Sequence, residues 1–324
     1  MPLQAVSFFV VFLFLSLPAW PQQLYLDSVY SDIRVSTYTY FEKPGEALQL
    51  DVYAAEADSL KNRPLILYVH GGGFSGGSRQ ADNVVKFCRS MAARGYAAAS
   101  MSYTLTMKGQ SFGCDQPAPN KVETFRRAAQ DANRAAAFFL QRADTFGIDP
   151  QQIVLAGSSA GAEAILHAAY WEETRNEDEG TPIFPEDFQY AGLISMAGAL
   201  LNLDWVNVSS AIPSQFFHGT CDNLVPYGTA PHHYCNPSDP GYMTLYGGKA
   251  IADKLAALGK GFYLYTACTG RHEWAGKPMT NNVDEITDFL YHDVLMGEKR
   301  QINLVVDGDQ SACPEGYPNF NFCK

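Results

Sequence analysis

The sequence predicts an α/β fold with a mainly parallel sheet, and three observations support this prediction. Segments with the pattern of strands alternate with segments with the pattern of helices from residue 34 to residue 295. Two of the strand segments, residues 65–69 and 153–156, are continuously apolar, as is typical of strands that are covered on both faces. The chain has 324 residues, of which 47% are hydrophobic and 18% are charged, and this composition is typical of a globular domain.

The elements follow one another in a regular order. Two early strands are predicted at residues 34–41 and 48–53, joined by a turn at Lys43, Pro44 and Gly45. Helices are predicted where apolar residues recur at helical spacing, and Gly95 ends the first of them. The further strands are predicted at residues 65–69, 96–103, 153–156, 190–196, 214–218 and 262–266. The helices are predicted at residues 83–94, 121–142, 160–171, 248–258 and 283–295.

Two insertions interrupt this alternation, at residues 104–120 and 172–187. The second insertion holds seven acidic residues and one arginine, so we expect it to be solvated rather than part of the core. Both insertions leave the ends of strands or helices, where loops that cover ligands are commonly found.

The N-terminal segment predicts export from the cell. Residues 1–26 contain no charged side chain, and residues 5–17 are apolar except for Ser7 and Ser16. An apolar run of this length is typical of a signal peptide and is short for a membrane span. We therefore expect a signal peptide over residues 1–20 and a secreted or periplasmic protein; an uncleaved anchor or a lipid-exposed helix is the alternative.

All seven cysteines lie after this segment, which agrees with export. Cys313 and Cys323 bracket a tail rich in proline and asparagine, and Cys221 and Cys235 bracket a loop in the same manner. A disulfide within each pair would fix these segments, although buried reduced thiols are an alternative and spacing does not determine the connectivity. We expect a single domain over residues 24–300 and a disulfide-tied tail over residues 301–324.

The net charge of −11 argues against binding to nucleic acid, because an acidic surface repels phosphate. No run of 18 or more uninterrupted apolar residues is present, so no stable membrane span is expected once the signal peptide is removed.

The most informative motif is Gly157-x-Ser159-x-Gly161, which lies between a predicted strand and a predicted helix. This is the context of a nucleophile elbow, in which a serine sits on a sharp turn and only glycine fits two positions to either side. Ser159 is therefore the predicted nucleophile. The helix that follows begins at Ala160, whose N–H is expected to point at developing negative charge.

A second motif, His70 followed by three glycines and Phe74, comes directly after the apolar strand at residues 65–69. Glycines at this place let the backbone approach a substrate carbonyl and present free N–H donors. We expect the N–H groups of Gly72, Gly73 and Ala160 to form an oxyanion hole, and His70 to support the loop by hydrogen bonding. A merely flexible loop is the alternative interpretation.

Together, the two motifs resemble those of the α/β-hydrolase superfamily, specifically its carboxylesterase and lipase branch with an HGGG oxyanion loop, which includes hormone-sensitive-lipase-like and feruloyl- or acetyl-esterase-like enzymes. The resemblance covers roughly residues 48–295 and extends to Gly147, Asp149 and Pro150 before the nucleophile strand. It implies the α/β-hydrolase fold, with about eight mostly parallel strands and helices on both faces. It also implies a catalytic triad in the order serine, acid, histidine.

The remaining triad members follow from this resemblance. The segment from His218 to Asp222 resembles the acid loop of the family, in which a strand ends at His-Gly-Thr and an aspartate follows, so Asp222 is implied as the orienting acid. His272 lies between the last predicted core strand and the last helix, where the family places its histidine, so His272 is implied as the general base. His218 precedes the acid and His167 lies within a helix, so neither is chosen.

The remaining groups of residues give weaker predictions of a functional site. His232, His233 and Cys235 could hold a metal, but adjacent histidines on a loop usually point apart, and we expect no metal site. Two or three of the aromatic residues are expected to touch a ligand. The aromatic candidates are Tyr103, Phe112, Trp171, Tyr227, Tyr234, Tyr246 and Trp274.

These observations predict a secreted serine esterase that forms an acyl-enzyme and requires no cofactor or metal. The expected substrates are short-chain or carbohydrate-linked acyl esters, either small molecules or attached to polysaccharide. A serine peptidase of the prolyl-oligopeptidase type is one alternative, although such enzymes usually carry two glycines after the nucleophile, and here Ala162 follows Gly161. A non-catalytic binding module with this fold is the other alternative, although such modules typically lose the nucleophile or the histidine.

Overall fold

The predicted strands assemble around one large twisted sheet. The computed structural model describes residues 23–43, 45–56, 59–178, 180–307, 312–313 and 323. In chain order the strands are β1 Ile33–Lys43, β2 Glu46–Ala55, β3 Arg63–Val69, β4 Ala97–Met101, β5 Ile148–Ser158, β6 Gly192–Met196, β7 Ala199–Leu200, β8 Ser214–Gly219, β9 Thr229–Pro231, β10 Thr244–Gly247, β11 Phe262–Cys268 and β12 Gln301–Asp307.

Nine of the strands between residues 33 and 307 form the main sheet, in the order β1-β2-β4-β3-β5-β6-β8-β11-β12. The pairs β1–β2 and β2–β4 are antiparallel, and every later pair is parallel. The prediction of a mainly parallel α/β fold with about eight strands is therefore confirmed. The three short strands β7, β10 and β9 form a separate small sheet.

Helices cover both faces of the main sheet. They are α1 Asp82–Ala92, α2 Ala118–Leu140, α3 Ala143–Phe146, α4 Ala160–Tyr170, α5 Gly248–Ala257, α6 Pro278–Asn281 and α7 Val283–Phe289. Residues of β3 alternate between the two faces: Leu65 and Leu67 belong to the core cluster that includes residues of α2, α4 and α5, whereas Ile66 and Tyr68 belong to the cluster that includes residues of α1 and α7. Every residue of β3 is buried, and this double burial explains its continuous apolar run.

The parallel strands place four loops at one edge of the sheet. The carboxyl ends of β3, β5, β8 and β11 lead into the loops that carry His70, Ser159, Asp222 and His272, respectively. In open α/β sheets the ligand-binding crevice lies at this edge. The topology therefore brings together residues that are far apart in the sequence.

The domain boundary expected at residue 300 is wrong. Strand β12 continues the main sheet, pairing in parallel with β11 from Phe262 opposite Gln301. Its residues alternate between exposed and half-buried, because an edge strand packs on one face only. Ile302, Leu304 and Val306 contact the core, so residues 301–307 belong to the domain rather than to a tail.

The structure decides the disulfide connectivity, which the spacing of the cysteines leaves open. The structure joins Cys114 to Cys235, Cys221 to Cys313 and Cys268 to Cys323, and leaves Cys88 as a buried free thiol. The pairs 313–323 and 221–235, which the sequence left open as possibilities, are therefore not formed. Each bond instead joins segments that are between 55 and 121 residues apart, because the fold brings distant loops into contact.

The acidic insertion at residues 172–187 is less detached than expected. Asp178 forms ion pairs with Arg126 and Arg127 of α2, and Glu177 forms one with Arg134 of the same helix. The acids therefore fix the insertion to the surface of α2, although several of its residues remain exposed.

No helix within the described residues is both long enough and apolar enough to cross a membrane. The predicted signal peptide, residues 1–20, lies outside the described residues.

Candidate active site

Ser159 occupies a sharp turn between β5, which ends at Ser158, and α4, which begins at Ala160. Its backbone has φ 51° and ψ −123°, a conformation that is costly for a residue with a side chain. Its N–H donates a hydrogen bond of 2.9 Å to the carbonyl of Met196, which fixes the turn to β6. The local geometry is that of the predicted nucleophile elbow.

The flanking glycines are required by close backbone contacts. A Cβ atom on Gly157 would overlap the carbonyl of Gly161, and a Cβ atom on Gly161 would overlap the carbonyl of Val69 at the end of β3. Any larger residue would therefore push α4 away from the sheet.

His272 lies beside the serine. It begins a 3₁₀ helix, His272–Ala275, shortly after β11. Its Nε2 is 2.8 Å from Ser159 Oγ, and its Nδ1 is 2.7 Å from Asp222 Oδ2. The structure therefore brings together the three residues predicted as a triad in one chain of hydrogen bonds.

The carboxylate of Asp222 is completely buried and has a partner at each oxygen. Oδ1 accepts hydrogen bonds from the N–H groups of Leu224 and Val225, at 2.9 and 3.0 Å, and Oδ2 faces His272. The backbone of the acid loop therefore fixes the orientation of the carboxylate, which in turn fixes the imidazole ring.

His218 supports Asp222 in a way that the sequence analysis missed. Its Nε2 lies 3.5 Å from Asp222 Oδ2 and donates a hydrogen bond of 3.1 Å to the carbonyl of Val225. Only its position four residues before the acid could have indicated this role, because His218 ends a strand that points at the same loop.

The electrostatics of the pair keep Asp222 charged and His272 basic. Burial acts to raise the pKa of Asp222, but the hydrogen bonds from His218 and His272 outweigh it and lower the pKa well below the ordinary value. Burial likewise acts to lower the pKa of His272, but the hydrogen bond to Asp222 and its charge outweigh it and raise the pKa above 6.5.

The glycine loop after β3 lies against the serine. Gly72 and Gly73 have φ of 120° and 60°, and the carbonyl of Gly72 accepts the N–H groups of Ser75 and Gly76. Because this carbonyl is turned into the loop, the backbone of Gly72 and Gly73 lines the same cavity as Ser159 and Ala160.

His70 lies beneath this loop and is 4% exposed. Its Nδ1 is 2.8 Å from the carbonyl of Gly71, its own carbonyl accepts the hydroxyl of Tyr103, and its ring lies 4.6 Å from the ring of Tyr103. Burial lowers its pKa, so it is neutral and acts as a hydrogen-bonding support.

The cavity next to Ser159 has a volume of about 420 Å³. Its walls come from the glycine loop, the nucleophile turn, the acid and histidine loops, and two insertions. The lining residues include Gly72, Gly73, Phe112, Ser159, Ala160, Glu163, Leu224, Val225, His232, His233, His272 and Met279.

Two insertions form the outer wall of this cavity. Phe112 comes from the predicted insertion at residues 104–120, whereas His232 and His233 lie between β9 and β10, in a segment that the sequence analysis did not recognise as an insertion. The disulfide between Cys114 and Cys235 joins the two. Within the acidic insertion at residues 172–187, the described residues do not line the cavity.

The expectations for the aromatic residues and the adjacent histidines need correction. Of the seven aromatic candidates, Phe112 alone is among the described residues that line the cavity. The rings of His232 and His233 lie 4.1 Å apart rather than pointing apart, because His233 and Tyr234 both adopt a left-handed backbone conformation.

A metal site at His232 and His233 would need the thiolate of Cys235, which is bonded in a disulfide. Within the described part of the chain, the one group with the spacing of metal ligands is Cys114, Cys235 and Asp239. The two sulfur atoms of this group are joined to each other in a disulfide, so neither is available as a ligand.

Comparisons with known proteins agree with this architecture. The BD-FAE family model matches residues 50–199, which include the glycine loop and the nucleophile turn. Esterase B1 of Culex pipiens is 28% identical over 122 residues, which cover 38% of this chain and 22% of that protein, so the chain matches about a fifth of the length of that relative.

Solved structures show the same fold over most of the chain. Esterase 2 of Thermogutta terrifontis, phosphorylated by paraoxon, is 19% identical with a TM-score of 0.56, and the match covers 81% of this chain and 93% of that one. The propionate-bound form of the same esterase gives a TM-score of 0.55 at 19% identity, with the same coverage of both chains. The chain therefore has the same fold as these esterases.

Proposed function

We propose that this protein is a serine carboxylic ester hydrolase that acts through an acyl-enzyme on Ser159. The observation that carries the proposal is the hydrogen-bonded chain from Ser159 Oγ through His272 to a buried Asp222. A strained serine, a base within hydrogen-bond distance and an oriented acid are the combination that activates a hydroxyl as nucleophile. The similarity to esterases in sequence and structure supports the same reaction.

In the first step, Ser159 Oγ attacks the ester carbonyl while His272 Nε2 accepts its proton. Asp222 holds the Nδ1 proton of His272 and stabilises the imidazolium that forms. The N–H groups of Gly72, Gly73 and Ala160 donate to the carbonyl oxygen as it gains negative charge.

The tetrahedral intermediate then collapses, the bond to the leaving oxygen breaks, and His272 returns its proton to that oxygen. In the second half of the reaction, His272 takes a proton from water, which attacks the acyl carbonyl. The bond between the acyl carbon and Ser159 Oγ then breaks, and His272 returns the proton to Oγ, which releases the acid and regenerates Ser159. All of these proton transfers pass through Nε2.

We further propose short-chain or carbohydrate-linked acyl esters as substrates. A cavity of about 420 Å³ is at the small end of the range for ligand sites. The related Thermogutta esterase has been solved with propionate and with butyrate bound, which supports a short acyl group here.

Export from the cell is also proposed, with residues 1–20 as signal peptide. Three disulfides within one chain are typical of proteins that fold in an oxidising compartment. The intact mass of the exported protein tests this, because cleavage near residue 20 removes the whole apolar segment, and an exported protein that retains it would contradict the proposal.

A fluorophosphonate probe and 4-nitrophenyl acetate test the catalytic proposal together. We expect the probe to label Ser159, and Ser159→Ala to abolish labelling and to lower kcat by about 10⁴-fold or more. The control Ser209→Ala changes an exposed serine outside the cavity and should leave both unchanged. Turnover that survives Ser159→Ala would refute the mechanism, and a wild-type protein that neither labels nor turns over would favour a binding module.

A further inference from the structure

The wall of the cavity is mostly apolar, but several polar side chains outside the triad also line it. Leu224, Val225 and Met279 form part of the apolar wall. Three polar residues also line the cavity and are called the polar wall: Glu163 from the first turn of α4, His232 and His233. None of them takes part in the triad, so their presence beside Ser159 needs another explanation.

The inner part of the polar wall holds two buried polar atoms that lack partners. His232 and Glu163 are 0% and 2% exposed. His232 Nε2 lies 3.6 Å from Glu163 Oε1, which is too far for a hydrogen bond, and neither atom has another partner among the described residues. Buried polar atoms are normally hydrogen-bonded, so two unpartnered atoms on side chains that line the cavity favour a polar ligand group here.

Lys121 determines which nitrogen of His232 carries the proton. Its ammonium is buried at the start of α2, donates to the carbonyl of Gly241 and lies 3.4 Å from His232 Nδ1. An ammonium group can only donate, so Nδ1 accepts and Nε2 carries the proton. The polar wall therefore presents an N–H donor beside a carboxyl acceptor.

His233 is the half-buried member of the polar wall. It has φ 54° and ψ 18°, its N–H donates to the carbonyl of Leu224, and the disulfide at Cys235 follows two residues later. A left-handed backbone at a non-glycine residue persists where the surroundings impose it, and such positions cluster at functional sites. The ring lies against His232 and edge-on to Phe112, so its direction is fixed.

The charge state of the polar wall favours a neutral ligand group. Burial lowers the pKa of His233 to about 4, so its imidazole is neutral and can both donate and accept. Burial also raises the pKa of Glu163 well above its ordinary value. A carboxylate would find no cationic imidazole here, and a cation would lie near the ammonium of Lys121, whereas a hydroxyl can donate and accept at the same place.

We propose that the polar wall of Glu163, His232 and His233 binds a hydroxyl group of the substrate, with His233 as the specificity-determining contact. The proposal rests on the proposed ester hydrolysis at Ser159 and names its substrate class: esters that carry a free hydroxyl near the scissile bond. That hydroxyl can belong to the acyl part or to the alcohol part of the ester.

Two matched pairs of esters distinguish a hydroxyl in the acyl part from a hydroxyl in the alcohol part. The acyl pair is 4-nitrophenyl 3-hydroxybutyrate and 4-nitrophenyl butyrate, and the alcohol pair is glyceryl 1-monobutyrate and propyl butyrate. We expect kcat/KM, normalised to the alkaline hydrolysis rate of each ester, to be at least about tenfold higher for the hydroxylated member of one pair. The pair that shows the preference identifies which part of the ester contacts the polar wall.

Variants then assign the preference to His233. His233→Phe keeps a ring but removes its hydrogen bonds, and we expect it to lower the ratio of hydroxylated to plain ester by about tenfold. His233→Asn keeps a donor and an acceptor and tolerates a left-handed backbone, so it should retain most of the ratio. The control His292→Phe replaces a half-buried histidine in the helical segment Leu290–Leu295, outside the cavity, and should leave the ratio unchanged.

Failure of this inference is distinguishable from failure of the proposed function. Hydrolysis of 4-nitrophenyl butyrate that depends on Ser159, with ratios near one in both pairs, would overturn the polar wall but leave the esterase intact. If the wild-type protein prefers the hydroxylated ester and His233→Phe does not reduce this preference, the proposed role of the polar wall is also overturned. Absence of any Ser159-dependent hydrolysis would overturn both.

Discussion

Asp222 uses its two oxygen atoms for different tasks. Oδ1 accepts two backbone N–H groups of its own loop, which fixes the carboxylate, while Oδ2 faces His272 and His218. Because the side chain is completely buried, water does not weaken its effect on the imidazole. A single aspartate therefore holds the tautomer of the base and raises its pKa.

The pH dependence of activity follows from this arrangement. Only neutral His272 can accept the proton of Ser159, so kcat/KM should fall as the pH drops through the pKa of His272. Since Asp222 raises this pKa, we expect the midpoint of the acidic limb to lie above pH 6.5. A pH–rate profile with 4-nitrophenyl acetate measures it, and a midpoint below 6.5 would contradict the role of Asp222.

In Asp222→Asn, we expect the midpoint of the acidic limb of the pH–rate profile to shift in the opposite direction. Without the charge of Asp222, burial lowers the pKa of His272 and is opposed only by the smaller effect of Glu273, so we expect the midpoint below 6.5. The rate at neutral pH should also fall by about 10⁴-fold, because the amide no longer holds the productive tautomer. Asp204→Asn, at a side chain that is 90% exposed, is the matched control and should alter neither quantity.

At the scale of elements, the position of α4 against the sheet depends on the glycines of the nucleophile turn. α4 packs on β5 and β6, and its first turn passes so close to the end of β3 that Gly161 has no room for a Cβ atom. The strained turn persists because the surrounding elements impose it. The strained geometry of Ser159 and the packing of α4 against the sheet therefore depend on the same glycines.

Gly161→Ala should consequently lower the free energy of unfolding by about 2–4 kcal/mol, because the new methyl group overlaps the backbone carbonyl of Val69. Urea denaturation measures this change. Gly76→Ala is the control within the glycine loop, where an added Cβ atom would meet no atom within 4 Å, and its effect should stay within about 0.5 kcal/mol. Equal stability of the two variants would show that the helix can shift without cost.

At the scale of the whole molecule, the disulfides connect the C-terminal residues to the loops of the triad. Cys313 is bonded to Cys221, directly before the acid, and Cys323 is bonded to Cys268, four residues before His272. The third bond joins the two insertions that wall the cavity. Each such bond typically contributes about 2–4 kcal/mol, so together they hold the catalytic edge of the sheet.

Thiol titration tests this connectivity. Cys88 is completely buried and burial raises its pKa, so the native protein should show no reactive thiol. Unfolding without a reductant should expose one thiol, and peptide mapping should recover the pairs 114–235, 221–313 and 268–323. Recovery of a 313–323 peptide would overturn the observed arrangement. Reduction should lower the unfolding temperature.

The amino-acid sequence by itself determined the α/β fold, the parallel strands and the serine turn, because each depends on residues that are adjacent in the chain. Apolar runs mark the buried strands, and Gly157, Ser159 and Gly161 mark the turn between β5 and α4. Asp222 and His272 were implied by family resemblance, and the structure places His272 beside Ser159 and Asp222 beside His272.

Only the tertiary structure decided which distant loops meet. The support of Asp222 by His218, the polar wall, the disulfide partners and the ninth strand β12 all depend on contacts between segments that the sequence does not place side by side. The physical reason is that strand order in the sheet, rather than order in the chain, determines which loops share the carboxyl edge.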